Sequence, residues 1–120
     1  MKVLFSIILT FTFFGCQSSN STSESKYGKN TPKDNIKAKQ LFQKCQRCHG
    51  ERGELHAIRK SDIIAFYKKE EIVEALKDYQ KGKRNKHRFG HLMKGIVSDF
   101  SDHEIHILAE YISQFKKSKK

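Results

Sequence analysis

Cys45-Gln46-Arg47-Cys48-His49 sets two thiols three positions apart, with a histidine directly after the second. Two cysteines so spaced can each add to one of the two vinyl groups of a single haem, and the adjacent histidine then points at the iron. The run is the attachment signature for a covalently held haem. Three other readings of the pair compete with it. A redox-active dithiol wants a βαβ context and a low-pKa cysteine at a helix start, whereas this pair closes a helical pattern. Structural zinc needs two further ligands at zinc-like spacing; His56, His87, His91, His103 and His106 are present, but no second cysteine pair is. A disulfide between Cys45 and Cys48 closes too small a loop to stabilise much.

Upstream of the motif, Thr31-Pro32-Lys33-Asp34 places a capping hydroxyl, a proline at the first helical position and an acid at the third. Ala38, Leu41, Phe42 and Cys45 then fall at i, i+3, i+4 and i+7, so one helical stripe carries the apolar residues and the first cysteine. A second helix is predicted from about Lys69 to Gln80, with Ile72, Ala75, Leu76 and Tyr79 on one face and Gly82 just beyond it. A third follows the Ser101/Glu104 capping box, with Ile105, Leu108, Ile112 and Phe115 at helical spacing until the lysines from Lys116, which are placed to meet the negative end of its dipole. No stretch alternates with period two. The fold class is therefore all-α: three main helices and substantial loops.

A chain of 120 residues makes one domain, and its 37% apolar content is thin for a self-sufficient core. A covalently held porphyrin would fill the interior. The chain carries 24 basic against 13 acidic residues, a formal +11, and a pI near 9.7. That balance points to an acidic partner or an anionic membrane surface; keeping a small domain soluble is the plainer use of the same lysines.

Residues 1–15 read as a targeting segment: Lys2 forms a thin positive region, and Val3 to Phe14 is an apolar run too short for a comfortable membrane span. Cys16 and the polar run Gln17 to Asn20 follow, and the junction resembles a bacterial lipoprotein signal, in which cleavage leaves the cysteine to be lipidated. Cleavage by an ordinary signal peptidase is the alternative. A shared task for Cys45 and Cys48 leaves Cys16 as an odd thiol, which favours lipidation, and its lipid chains would make a stable anchor. Losing Lys2 lowers the 24 basic residues by one, so against 13 acidic ones the mature chain keeps a net +10. Residues 16–30 are rich in Ser, Thr and Asn and read as a tether, with an end-to-end distance of roughly 20 Å as a flexible coil. The domain proper is expected over 31–120. Nucleic acid is not the expected target of an exported protein, whatever its pI.

From Asp34 to Lys116 the chain resembles a bacterial class I cytochrome c of the small, c553-like, single-haem kind. Ala38 and Leu41-Phe42 match the family's first helix, and Gly50 with Glu51-Arg52-Gly53 matches the loop at the haem edge. Ala75-Leu76, Tyr79, Gly82 and Arg84 match a recurring helix, aromatic, glycine and basic pattern. Met93, Phe100-Ser101-Asp102 and Ala109-Glu110-Tyr111-Ile112 match the closing segment, whose aromatic crosses the first helix.

The resemblance implies one covalent haem c per chain, held by Cys45 and Cys48, with His49 the proximal and Met93 the distal iron ligand. A thioether favours the reduced iron and raises the potential relative to a second imidazole. His91 or His87 is the rival for the sixth site, and a core gap-filler is the other fate of Met93. The His49 ring N–H is expected to find a carbonyl; the only proline is Pro32, so the acceptor is sought within Leu55 to Ser61. The function implied is single-electron transfer between periplasmic or membrane redox partners, a carrier and not an enzyme. Lys81, Lys83, Arg84, Lys86 and Arg88 form a candidate collar for an acidic redox partner. The alternatives are an electron-entry haem subunit of a larger oxidoreductase and a haem protein with an open sixth site, peroxidase-like or a sensor.

Overall fold

The computed structural model describes residues 30–118; the targeting segment 1–15, Cys16 and the tether up to residue 29 lie outside the described residues. Four helices carry the domain: α1 Pro32–His49, α2 Lys69–Gln80, α3 Gly90–Val97 and α4 Asp102–Ser113. Single 3₁₀ turns at Ala57–Arg59, Ile64–Phe66, Lys86–Arg88 and Phe115–Ser118 punctuate the connections. No strand occurs among the described residues, and none of their helices is long and apolar enough to cross a membrane.

Helix α1 starts where its caps dictate. The Thr31 hydroxyl accepts from the Asp34 amide at 3.2 Å, and the Asp34 carboxylate accepts from the Thr31 amide at 3.0 Å. Pro32 loses nothing at the first position, where an amide would have no partner in the helix. Ala38, Leu41, Phe42, Cys45 and His49 form its buried stripe, and the helix ends at Gly50, whose φ of 86° lies in the region open to glycine. Asn30, the last residue of the predicted tether, donates to the Ile107 carbonyl at 3.4 Å.

Helix α4 is the centre of the core. Ile105, Ile107, Leu108, Ala109 and Ile112 are all buried along it, with α1 packed against it on one side and α2 on another. Phe42 of α1 meets Tyr111 at 5.7 Å and Phe115 at 5.0 Å between ring centroids, and Tyr111 and Phe115 are 5.1 Å apart edge to face. Such tilted rings contribute beyond the area they bury. The two helix starts also share their capping acids: Asp34 of α1 lies 3.0 Å from His103 of α4, and Glu104 of α4 lies 3.1 Å from Lys37 of α1.

Three predicted helices stand where the sequence places them, but the segment around Met93 corrects the expectation of a loop. Residues 90–97 form a fourth helix. It is only eight residues long, contains Gly90 and Gly95, and has no side-chain cap at its start, so neither periodicity nor capping announces it. Tertiary contacts supply what the sequence lacks: the Gln80 amide donates to the carbonyls of Val97 and Phe100, both at 2.7 Å, tying the end of α3 to α2. The lysines after Phe115 also differ from expectation, since α4 ends at Ser113 with no basic residue in its last turn.

The Ser101 hydroxyl accepts from the Glu104 amide at 3.2 Å, and Glu104 accepts from the Ser101 amide at 2.9 Å. Ser101→Ala is therefore expected to cost about 1 kcal/mol, read as a fall in Tm of about 4–8 °C for a domain of this size. An unchanged Tm in calorimetry would show that the cap carries no stability.

Candidate functional site

Because Cys45, Cys48 and His49 are three and four positions apart near the end of α1, they project from one side of the helix. All three line one cavity. It is also lined from α3 by Leu92, Met93 and Ile96, and from α2 and α4 by Leu76, Leu108 and Ile112. The cavity thus unites the cysteine pair and both expected iron ligands, from two helices that are far apart in sequence, α1 ending at His49 and α3 beginning at Gly90. His91 is exposed and is not among the cavity's residues, whereas His87 is.

Local chemistry suits coordination better than dithiol redox work. The two cysteines form no disulfide with each other; Cys45 is buried and Cys48 exposed. Burial pushes the Cys45 thiol up to about 11, the reverse of the depressed value a reactive dithiol needs. His49 is 7% exposed, and burial lowers its pKa. That keeps the imidazole neutral with a lone pair to give, the form a metal requires.

The expected acceptor for the His49 ring is not found. Its Nδ1 is buried with no hydrogen-bond partner. The Leu55–Ser61 stretch returns to His49 through the backbone, the Leu55 amide donating to the His49 carbonyl at 2.9 Å. Three of the loop's carbonyls are used within it: His56 O accepts from the Arg59 amide, Ala57 O from those of Lys60 and Ser61, and Ser61 O lies 2.6 Å from His56 Nδ1.

Two contacts at the site are not foretold by the sequence, although Tyr79, Arg84 and Lys86 are singled out there. Arg84 lines the cavity with its guanidinium 5.7 Å from the centre of the Tyr79 ring, and its Nε is buried without a partner. At the mouth, Asp62 accepts from the Tyr67 hydroxyl at 2.6 Å and from the Lys86 ammonium, with His87 Nε2 at 3.8 Å from its other oxygen. This knot joins the loop after α1 to the loop before α3. Both loops contain residues in the left-handed region: Ile58 and Arg59 at φ 55°, His87 at 60° and Arg88 at 67°. For residues other than glycine such backbone costs on the order of 1–3 kcal/mol each, so the knot holds strained segments in place. Gly90 fixes the position of α3 behind them, since a Cβ there would meet the Arg84 carbonyl oxygen at 2.2 Å.

The hydrogen bonds from Lys86 and Tyr67 lower the Asp62 carboxyl from 3.8 to about 2. A depressed acid stabilises the fold above its unfolded value, and that contribution is lost as pH falls from 3.8 towards 2. Asp62 is 39% exposed, so solvent screening keeps the effect below about 1 kcal/mol. Asp62→Asn is expected to flatten the fall of Tm across that acid window, measured by thermal melts against pH; an unaltered slope would remove Asp62 from the acid limb.

The family model described as Cytochrome c matches residues 36–116. No curated protein and no solved structure matches the chain. The matched span runs from the first buried turn of α1 past the end of α4, taking in the cysteine pair, His49 and Met93. The chain belongs to the cytochrome c family, whose members bind haem c covalently.

Proposed function

We propose that this chain is an exported, one-haem carrier of single electrons, with thioethers from Cys45 and Cys48 holding the haem and the iron bound between His49 and Met93. The observation that carries this reading is the single apolar cavity on which the cysteine pair, His49 and Met93 converge. Its polar fittings suit a haem as well: a buried neutral imidazole for the iron, and a buried Arg84 Nε lacking an acceptor. A haem carboxylate at that edge would supply the acceptor that the buried Nε otherwise lacks, at a cost of about 1–3 kcal/mol.

When bound, the haem supplies a one-electron Fe(III)/Fe(II) couple. The residues of the chain do the rest. Cys45 and Cys48 prevent loss of the cofactor. His49 donates from a ring held neutral by burial. The Met93 sulfur, a soft and weakly basic donor, favours the reduced iron. Leu76, Leu108 and Ile112 exclude water, which raises the cost of net charge inside and adds to the same preference.

Ile58, Leu92 and Ile96 are 49%, 46% and 41% exposed while also lining the cavity, so they form an apolar rim where a partner can approach. The basic collar narrows in place: Arg84 stacks on Tyr79 and Lys86 is paired with Asp62, leaving Lys81, Lys83 and Arg88 as exposed members. Charges so placed speed encounter with an acidic redox partner and lose effect with salt.

Export follows from the sequence of residues 1–15, and a lipid on Cys16 would hold the domain on the periplasmic side of a membrane. Redox titration of the holoprotein is expected to show a reversible one-electron couple, with no carbon monoxide uptake by the reduced form at neutral pH. Ready uptake would favour the open-site alternative.

A further inference from the structure

We propose that His87 is a reserve iron ligand, carried on the Lys86–Arg88 strap and able to replace Met93 at the sixth site. The inference rests on the His49/Met93 reading above. Of the histidines in the described residues, only His49 and His87 line the cavity. His56 is occupied by the Ser61 carbonyl at 2.6 Å, His103 lies against Asp34 at 3.0 Å, and His106 sits between Lys77 and Asp102. His91 is two residues from Met93 but outside the cavity; both it and His87 are exposed, and only His87 lines the space.

Lys86 of this strap is bonded to Asp62, but the two residues after it are strained. His87 and Arg88 are consecutive left-handed residues, neither of them glycine or asparagine, and such backbone persists only while its surroundings enforce it. What holds His87 is slight. Its Nε2 is 3.8 Å from Asp62 Oδ1, beyond a hydrogen bond, while Tyr67 and Lys86 use the other carboxylate oxygen. A movement that relaxes φ at 87 and 88 therefore gives up little at the imidazole, which already borders the space Met93 faces.

The exchange balances without electrons or protons. The neutral Met93 sulfur leaves the iron, and a lone pair on a ring nitrogen of neutral His87 forms the new bond. Nitrogen donors suit ferric iron better than thioethers do. Exchange is therefore favoured by oxidation, and it lowers the potential once it has occurred.

Optical and electron-paramagnetic spectra of four holoproteins test this: wild type, His87→Ala, Met93→Ala and the double variant. The wild type and His87→Ala should both show the weak far-red sulfur-to-iron band. Met93→Ala should lose the band yet stay low-spin, and the double variant should turn high-spin. A high-spin Met93→Ala, or a double variant that stays low-spin, overturns the reserve-ligand proposal and leaves Met93 as resident ligand intact. A wild type without the band, turned high-spin by His87→Ala alone, overturns the Met93 reading itself. If Met93→Ala does not accumulate with haem, oxidised wild type in guanidinium below its unfolding transition replaces it. Loss of the band with low-spin iron retained, abolished by His87→Ala, supports the proposal; the same spectra in both proteins overturn it.

Discussion

The double variant Cys45→Ala/Cys48→Ala is expected to lose haem on gel filtration and to lack a sharp unfolding transition. The cavity lined by all four helices measures about 170 Å³. At about 24 cal/mol per Å³, leaving it unfilled costs about 4 kcal/mol. A buried Arg84 Nε without an acceptor adds about 1–3 kcal/mol. Total stabilities of small domains are about 5–15 kcal/mol, so the two costs together consume a large share. Helical circular dichroism should fall only in part, because the Thr31 and Ser101 caps and the Phe42–Tyr111–Phe115 cluster do not depend on the haem. Near-ultraviolet dichroism, which reports fixed packing, should be largely lost. A sharp calorimetric transition in the double variant would mean that the polypeptide core suffices alone.

Met93→Ala is expected to abolish the far-red band and lower the midpoint potential by on the order of 0.1 V or more, within the span of about 0.8 V that axial ligands set. Removing the thioether takes away the ligand that favours the reduced iron, and any water or imidazole that follows favours the oxidised one. Redox titration of both proteins in the same buffer measures the shift. A midpoint within error of wild type would take Met93 out of the coordination sphere and leave it a packing residue of the cavity wall.

How far the sequence could be read follows from which interactions are local. The starts of α1 and α4 depend on side chains three residues apart, so Thr31/Asp34 and Ser101/Glu104 announce them. The apolar stripes of α1 and α2 are periodic, and the cysteine pair needs only its own spacing. Helix α3 escapes because its support is distant: Gln80 holds its end, and its first glycine sits against the Arg84 carbonyl. The Asp62 knot has the same character, joining residues 24 apart to one carboxylate. The basic run at 81–88 is visible as charge, but nothing local tells that Arg84 turns inward onto Tyr79 or that Lys86 is spent on Asp62. The missing acceptor at His49 goes with a loop three of whose carbonyls are used within it, a matter of loop geometry and not of composition.

Covalent attachment of the haem is tested by acid and organic extraction of the purified holoprotein, followed by the alkaline pyridine spectrum and the denatured mass of the polypeptide. Haem is expected to stay with the chain, one per polypeptide, with the spectrum of a haem saturated at both vinyl positions and attachment mapped to Cys45 and Cys48. Haem that passes wholly into the solvent, leaving the mass of the bare polypeptide, would contradict it.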